Sequence, residues 1–288
     1  MDRFNRIPFG LEDNTQQFVD VHDVKNGRKC GCVCPSCRLP LVARQGKKND
    51  WHFAHASRKV HDIDQECDFS FFVSVRAMAK QIISSGFSLS TPALTGIVNV
   101  QRNGLAPLTV EFTITKSTVI TLSDVHKEYL FEDTLVDLCG DVNGHTVIIY
   151  FTHPERFLPE NLSAPEMPSV AILNIDLTRA MLLFRSKIKK GFIAALEALL
   201  GEETENKKWV YHPRQEVARI QAREKLLGNI EGFHKLEPHS RLRPELTNTF
   251  RLARYICIEC REPWEARSGI EPMCPTCGSK LCFRKWWP

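Results

Sequence analysis

The sequence has no apolar run near the roughly 18 residues that a membrane-spanning helix needs. Its first residues, MDRFNRIPFGLEDNTQQ, are too polar for a secretory signal peptide. Internal repeats and low-complexity segments are also missing. These absences predict a soluble, cytoplasmic protein without a membrane partner. A hydrophobic content of 43% provides enough apolar residues for a real core.

A strong excess of charge of either sign is missing as well. The 288 residues include 38 Lys and Arg against 34 Asp and Glu, a net charge of +4 with neutral histidines. This excludes an acidic disordered tail protein, and it is too small to indicate nucleic-acid binding by itself. The balance hides an uneven distribution, because residues 177–254 carry 16 basic against 9 acidic residues.

Cysteine is abundant, with 11 residues beside 10 histidines. An odd number of cysteines in a chain of this length, without a secretory signal, argues against a disulfide framework. Five lie between Cys30 and Cys67, five lie between Cys257 and Cys282, and Cys139 stands alone. These two clusters indicate metal binding.

The C-terminal cluster has the most specific spacing. Two CxxC pairs are separated by thirteen residues, and tetrahedral zinc is commonly bound by four thiolates in this pattern. The predicted ligands are Cys257, Cys260, Cys274 and Cys277. A redox function is a poorer interpretation because it leaves the second CxxC unexplained. We therefore predict a zinc ribbon whose main role is structural, with Cys282 as a packing residue.

The N-terminal cluster also fits a zinc ion, although its ligand set stays open. The candidate ligands are Cys34, Cys37, His52, His55 and Cys67, five residues for four positions. Cys30 and Cys32 are further alternatives. If the two histidines lie on a strand, their side chains point to opposite faces, so one of them would be replaced by Cys67.

The apolar patterns predict a mixed α/β protein. A helical pattern from about residue 67 ends near Gly86, β-branched runs follow between residues 93 and 152, and Asn143-Gly144 is a strong hairpin signal. A further strand, VAILNIDL, precedes two helical patterns, LTRAMLLFRSKIKKGFIAALEALL and PRQEVARIQAREKLLGNIEGFHKL. We predict four regions: an N-terminal zinc-binding region (1–66), a core (67–176), a basic helical region (177–254) and a C-terminal zinc ribbon (255–288).

The segment CPSCRLPLVARQGKKNDWHFAH, followed by Cys67 and SFFVSVRAMAKQII, resembles the start of the CoiA-like competence protein family. Members open with CPxC, a glycine-bearing hairpin, an HFAH-type sequence, a cysteine and a helix with a lysine near its end. Lys80 matches that lysine, whereas Arg76 replaces the histidine that is common four residues earlier. The resemblance is close over residues 30–82 and looser up to residue 176.

The resemblance implies a restriction-endonuclease-like mixed sheet core of the PD-(D/E)xK type. In such a core an Asp on one strand and a Glu-x-Lys on the next bind a divalent metal such as Mg²⁺ and activate water. Asp137 occupies the place of the metal-binding Asp. On the next strand, HTVIIYFT, Ile148 stands where the acid belongs and Tyr150 where the basic residue belongs. The core is therefore predicted to be degenerate.

An active Mg²⁺-dependent nuclease would need a carboxylate from elsewhere in the sequence. The acids that are candidates for such a relocated role are Glu132, Asp133, Asp141 and Glu155. Each of them would require a different geometry of the site.

The basic region suggests contact with nucleic acid, because cations neutralise phosphates and exposed aromatic side chains stack on unpaired bases. Trp209 and Tyr211 lie between its lysines and arginines. The residues predicted to contact nucleic acid are Lys187, Lys189, Lys190, Lys207, Lys208, Arg219 and Arg223. A merely solvated helix face is the alternative.

From these patterns we predict a zinc-containing nucleic-acid-binding or DNA-processing protein of the bacterial competence, recombination or antiviral (anti-phage) defence type. Its nuclease-like core is predicted to be inactive, its cofactors to be two structural zinc ions, and its partner to be DNA or another nucleic acid. The alternatives are a protein-interaction subunit of a larger complex and an active Mg²⁺-dependent endonuclease that uses Asp137 together with relocated acids.

Overall fold

The computed structural model describes residues 6–47, 50–56, 67, 70–102, 105–185, 191–235, 252–267, 273–280 and 282–284. The chain forms two compact units, Met1–Glu231 and Gly232–Pro288. Strands and helices both contribute, and a five-stranded mixed sheet is the largest sheet among the described residues, so the predicted α/β class is confirmed.

The elements in chain order are β1 (Phe9–Glu12), β2 (Phe18–Asp20), β3 (Cys32–Val33), β4 (Leu41–Arg44), β5 (His52–His55), α1 (Phe71–Ser84), β6 (Ser88–Thr91), β7 (Leu94–Arg102), β8 (Leu105–Thr115), β9 (Thr118–Thr121), β10 (Ser123–Phe131), β11 (Thr134–Val142), β12 (His145–Thr152), β13 (Ala171–Asp176), α2 (Ala180–Arg185), α3 (Phe192–Gly201), β14 (Lys207–Tyr211), α4 (Gln215–Lys235), β15 (Leu252–Cys257), β16 (Pro263–Arg267) and β17 (Cys282–Arg284). Short 3-10 turns cover Arg28–Cys30 and Glu160–Ser163.

The central sheet has the strand order β10-β11-β12-β13-β14. Strands β10, β11 and β12 form an antiparallel meander, β13 runs parallel to β12, and β14 returns antiparallel to β13. The hairpin predicted at Asn143-Gly144 joins β11 to β12, and both turn residues have the positive φ, 54° and 80°, that its tight turn requires. Residues 147–151 of β12 and 171–173 of β13 are all buried, as expected for strands in the middle of a sheet.

Helix α1 packs against this sheet through an apolar stripe. Phe71, Val75, Met78 and Ile82 recur at helical spacing and are buried in the same core cluster as Leu138. The side chain of Ser70 accepts a hydrogen bond from the Val73 amide and caps the first turn. The helix ends before Gly86 (φ 87°), as the sequence predicted.

One predicted helix is divided in two. The helical pattern between residues 177 and 200 becomes α2 and α3, and residues 186–190 between them lie outside the described part of the chain. The reason is visible at Gly191, whose φ of 88° is incompatible with the interior of a right-handed helix. The helix predicted further on is confirmed as α4.

The N-terminal strands belong to the same compact unit as the central sheet. The sheet β2-β1-β3 and the hairpin β4–β5 share a core that includes Val21, Leu41 and Phe53. Gln81 of α1 extends the edge of β2: Phe18 donates its amide to Gln81 Oε1 at 2.8 Å, and Gln81 Nε2 donates to the Phe18 carbonyl at 2.9 Å. The four-region division from the sequence stays a prediction, and its first boundary lies within one compact unit.

Asp20 adds a second connection between the two parts of this unit. Its side chain is fully buried, and its Oδ2 accepts hydrogen bonds from the amides of Phe192 and Ile193 at 2.5 and 2.9 Å. These amides open α3, so a residue of the N-terminal sheet caps a helix 172 residues away. Its Oδ1 also accepts from the His22 amide and faces His22 Nδ1 at 2.7 Å.

The second unit contains a three-stranded antiparallel sheet with the order β16-β15-β17. Tyr255 and Trp264 stack across its β15–β16 pair, with ring centroids 5.8 Å apart. In the whole described chain, no helix is both long and apolar enough to cross a membrane.

We expect Asp20→Ala to lower the free energy of unfolding of the first unit by about 2–3 kcal/mol, because two buried helix amides lose their acceptor. Urea denaturation followed by circular dichroism measures this change. Asp23→Ala is the matched control, because Asp23 is an exposed acid three residues away and its loss should cost no more than about 0.5 kcal/mol. Equal effects of both substitutions would contradict the capping role.

Candidate metal centres and the cluster around Asp137

The N-terminal cysteines and one histidine converge on a single point. The side-chain ligand atoms of Cys34, Cys37, His55 and Cys67 all lie within 4.8 Å of one another. Cys34 Sγ is 3.5 Å from Cys67 Sγ, and His55 Nε2 is 3.3 Å from Cys37 Sγ and 3.6 Å from Cys67 Sγ. The CxxC turn follows β3, His55 ends β5, and Cys67 precedes α1, so three separate elements contribute to the group.

The C-terminal quartet forms a second group, made of Cys257, Cys260, Cys274 and Cys277. Cys257 Sγ lies 3.5 Å from Cys277 Sγ, and Cys260 Sγ lies 3.5 Å from Cys274 Sγ. Each of these close pairs joins the two CxxC turns to each other. All four sulfurs therefore face a common centre, as predicted from the spacing.

All three CxxC turns have the same backbone structure. The amide of the first cysteine donates to the carbonyl five residues later, and its own carbonyl accepts from the amide four residues later. In each turn that fourth following residue has a positive φ: Arg38 at 58°, Arg261 at 59° and Gly278 at 73°. The turn brings its two sulfurs to one side, which is the arrangement that a shared metal ion needs.

Both groups fit a zinc ion. Tetrahedral zinc, with Zn–S bonds of about 2.3 Å and Zn–N bonds of about 2.0 Å, places its ligand atoms about 3.5–3.8 Å apart. The five separations given above, 3.3–3.6 Å, lie within this range or slightly below it, and all ligand atoms of each group lie within 4.8 Å of one another. Burial raises the pKa of the Cys34 thiol to about 12, so a thiolate at this position requires a cation beside it. Each group can thus hold one zinc ion.

The remaining N-terminal candidates lie outside the ligand group. His52 and His55 are three residues apart on β5, so their side chains leave opposite faces of the strand. His52 Nδ1 faces the Asp50 carbonyl at 2.8 Å, and burial lowers the pKa of its ring. Cys30 and Cys32 are buried in the neighbouring core and donate to backbone carbonyls. Cys67 thus takes the position for which His52 was an alternative.

Asp137 lies on β11 and is fully buried. Arg156 Nη1 donates to its Oδ2 at 2.6 Å, and the Phe151 amide donates to the same oxygen at 2.8 Å. Arg76 Nε lies 2.9 Å from Oδ1, an ionic contact without hydrogen-bond alignment. The carboxylate is therefore enclosed by two guanidinium groups and one backbone amide.

A second acid, which the sequence did not single out, lies beside this cluster. Lys80 of α1 forms an ion pair with Glu128 of β10, and Arg76 Nη2 lies 3.7 Å from the same Glu128 oxygen. Arg76 and Lys80 are one helical turn apart, so both face the sheet edge where Glu128 lies. Burial and the neighbouring Arg76 lower the pKa of Lys80 to about 8, which leaves it charged at neutral pH. The cluster thus contains three cations and two anions.

The acids considered for a relocated role have other places in the fold. Glu132 accepts a hydrogen bond from the Glu166 amide at 2.8 Å, and Asp141 accepts one from the Gly144 amide at 2.9 Å within the hairpin turn. Asp133 and Glu155 lie in the turns before β11 and after β12.

Ile148 and Tyr150, which the resemblance aligns with the acid and the base of the family motif, belong to a buried cluster. Ile148 is fully buried, and Tyr150 donates from its hydroxyl to the Phe157 carbonyl at 3.2 Å. The Arg156 guanidinium lies over the Tyr150 ring, 3.7 Å from its centroid. These residues do not fit a magnesium site, because the only carboxylate on the two strands that faces this point is already bound by cations.

The basic region is less uniform than its composition suggests. Lys207 is only 5% exposed, its ammonium donates to the Glu203 carbonyl, and burial lowers its pKa to about 8. The prediction that Lys207 contacts a phosphate is therefore corrected, because the side chain fills the interior. Lys208, Arg219 and Arg223 are exposed, and Arg219 forms an ion pair with Glu216 at 2.6 Å. Lys187, Lys189 and Lys190 lie outside the described residues.

Of the two aromatic residues noted in this region, Trp209 is buried and Tyr211 is half-buried. Trp209 is 8% exposed and donates from Nε1 to the Pro92 carbonyl at 2.9 Å. The hydroxyl of Tyr211 faces the Pro168 carbonyl at 3.5 Å. Trp209 is therefore excluded from stacking on a base, and exposed charge is the main basis for nucleic-acid contact in this part of the described chain.

Comparison with known proteins supports the resemblance seen in the N-terminal motif. Residues 16–69 match the family model described as Competence protein CoiA, N-terminal domain. The matched segment contains all four members of the N-terminal ligand group. The similarity to the CoiA-like competence protein family is thus confirmed for this segment. None of the curated proteins and none of the solved structures matches the chain.

We expect the purified protein to contain two zinc ions per chain, because two separate four-ligand groups are formed. Cys37→Ser and Cys277→Ser should each reduce the content to one ion and destabilise the unit that carries the change, since structural zinc binding contributes to folding. Elemental analysis by mass spectrometry measures the content. Cys139→Ser, a change of a cysteine outside both groups, should leave two ions. A content of one ion in the unaltered protein would contradict one of the centres.

His153 predicts a specific dependence of stability on pH. Burial, with the nearby Arg76 and Arg156, lowers the pKa of His153 to about 4, and its ring stacks on Phe72 at 4.9 Å. Between pH 6.5 and 4 the unfolded chain binds a proton that the folded chain does not, so the free energy of unfolding falls as the pH falls. We expect this loss to be about 2–3 kcal/mol larger in the unaltered protein than in His153→Gln.

Urea denaturation at pH 7, 6, 5 and 4 measures this difference. Both proteins carry the same zinc ligands, so loss of metal in acid contributes equally to both and cancels. Parallel pH profiles for the two proteins would show that His153 is not the group responsible.

Proposed function

We propose that this protein is a zinc-stabilised nucleic-acid-binding protein of bacterial competence, recombination or anti-phage defence, and that its nuclease-like core does not cleave. The observation that supports the absence of cleavage is the enclosure of Asp137 between Arg76 and Arg156. The similarity of residues 16–69 to the CoiA N-terminal domain supports the role in competence, recombination or defence.

The arrangement of the core supports a restriction-endonuclease-like interpretation. Asp137 lies on β11, its neighbour β12 carries Ile148 and Tyr150 where the family motif has its acid and base, and β13 follows in parallel. Helix α1 lies over these strands and directs Arg76 toward Asp137. This layout supports the core type that the family resemblance implies, with other residue types at the catalytic positions.

Electrostatics argue against metal-dependent cleavage at this point. A divalent ion needs carboxylate oxygens that are free to coordinate it, and both oxygens of Asp137 are in contact with guanidinium groups. Two positive charges beside the carboxylate also repel a third cation. Removing either arginine would leave a buried charge partly unpaired, which typically costs about 3–5 kcal/mol, so the arginines are part of the folded core.

Binding without cleavage agrees with the charge distribution. Residues 177–254 carry an excess of seven positive charges, and Lys208 and Arg223 are exposed in the described part of that region. The two candidate zinc centres would stabilise small sheets that have little core of their own. Neither the excess of positive charge nor the candidate zinc centres require the protein to catalyse a reaction.

A role as a protein-interaction subunit is the second candidate, and one observation favours it. Leu130 and Leu135 pair across β10 and β11 and are 65% and 53% exposed. Phe157, which follows Arg156 in the chain, is 80% exposed. Exposed apolar side chains of this size are typical of contact surfaces. A protein partner at this surface is compatible with nucleic-acid binding elsewhere.

The proposal predicts salt-dependent binding of DNA without cleavage. We expect a dissociation constant of about 1–100 µM for single- or double-stranded DNA at physiological salt, with tighter binding at low salt. Linear and branched DNA should stay intact with Mg²⁺ or Mn²⁺, for the unaltered protein and for Asp137→Asn alike. Fluorescence anisotropy and gel electrophoresis give the two readouts.

The two readouts separate the alternatives. Absence of binding even at low salt would reject the nucleic-acid role and favour the interaction subunit. Cleavage that disappears in Asp137→Asn would show an active nuclease and overturn the proposed degenerate core. Cleavage that persists in that variant would indicate a contaminating enzyme, which a column fraction lacking the protein identifies.

A further inference from the structure

We propose that Arg76 and Lys80 form a binding site for a phosphate group of a nucleic-acid backbone, and that the Glu128 carboxylate occupies this site when no nucleic acid is bound. The inference rests on the proposed nucleic-acid-binding function and deepens it, because it assigns a contact to the core outside the basic region.

Arg76 and Lys80 make different contacts with the two acids of the cluster. Arg76 places Nε against the buried Asp137 carboxylate, while its Nη2 is directed to Glu128 at the looser distance of 3.7 Å. Lys80 contacts Glu128 and has 11% of its side chain exposed, against 21% for Arg76. Both cations contact Glu128, which lies at the surface, so its departure would open them to an external anion.

Asp137 and Glu128 differ strongly in their burial and in the contacts that hold them. Asp137 is fully buried and bound on both oxygens, so it cannot leave its cations. Glu128 has 43% of its side chain exposed, and its contacts involve a single oxygen, Oε1. An exposed carboxylate gains back most of its hydration when it leaves, so an external anion can replace it at low cost.

A phosphodiester can provide the same negative charge and acceptor oxygens that Glu128 provides to Arg76 and Lys80. It carries one negative charge, as the carboxylate does, and its two free oxygens accept charge-assisted hydrogen bonds from guanidinium and ammonium groups. Lys127, the exposed neighbour of Glu128 on β10, adds a further positive charge. Without Glu128 the cluster has three cations and the single buried anion Asp137, a net positive charge beside the surface.

The backbone at Glu128 is also unusual. Lys127 and Tyr129 pair with Leu138 and Val136, which places Glu128 opposite Asp137, and its φ is 52°. A non-glycine residue rarely adopts this left-handed conformation within a strand, and such residues are concentrated at functional sites. The conformation directs a carboxylate to two cations that would otherwise be open to an external anion.

The test compares two charge-removing variants with matched controls, using full-length protein and fluorescein-labelled DNA of about 20 nucleotides, single-stranded and duplex. The buffer has no added divalent cation and no chelator, so that bound zinc is retained. Glu128→Gln removes the internal anion, and Lys80→Gln removes one cation. Glu111→Gln on β8 and Lys116→Gln after β8 make the same charge changes at exposed positions outside the central sheet.

We expect Glu128→Gln to bind about threefold to fivefold tighter than the unaltered protein, because a negative charge close to the phosphate is lost. Lys80→Gln should bind about fivefold weaker, with the slope of log affinity against log salt reduced by about one. The two control variants should stay within about 1.5-fold of the unaltered protein.

Binding by all variants with equal affinity would overturn this site and leave the proposed function intact. Equal changes in Glu128→Gln and Glu111→Gln would also overturn it, since they would reflect net charge alone. Absence of binding by every protein would reject the proposed function itself. Glu128→Gln decides the matter even if Lys80→Gln fails to fold, because its side chain is at the surface and circular dichroism with zinc content verifies the fold.

Discussion

Asp137 is fully buried, so its negative charge has to be neutralised inside the protein, and the guanidinium groups of Arg76 and Arg156 do this, one at each carboxylate oxygen. Arg76 belongs to α1 and Arg156 to the turn after β12, so one ion cluster fixes the helix and the turn against the sheet. The contacts that neutralise the buried charge of Asp137 therefore also occupy both of its carboxylate oxygens.

The candidate zinc centres solve a different problem. The sheets β2-β1-β3 and β16-β15-β17 are three-stranded with strands of two to six residues, too small to bury much apolar surface. A zinc ion bound by four ligands would supply the missing free energy of folding. The N-terminal sheet is also stabilised by contacts with the helices of the first unit, since Asp20 caps α3 and Gln81 of α1 extends β2. The C-terminal centre has both its CxxC turns within its own unit.

Much of the fold was predictable because it depends on local pattern. The apolar stripe of α1, the hairpin at Asn143-Gly144 and the CxxC turns each involve a few consecutive residues whose spacing determines backbone conformation. The break at Gly191 was missed because the apolar periodicity continues across it. Lys207 was misplaced for a related reason: a count of charges contains no information on which lysines are buried.

By itself, then, the sequence predicted the α/β class and the grouping of the four C-terminal cysteines with one another, and it contains the Cys34–Cys37 pair and no acid on β12. Only the tertiary structure decided between His52 and His55, and only it brought Glu128 and Arg156 to the cluster around Asp137. The physical reason is that spacing along the chain controls contacts within a turn or a hairpin. Contacts among α1, β10 and the turn after β12 depend instead on strand order and packing, which no single segment encodes.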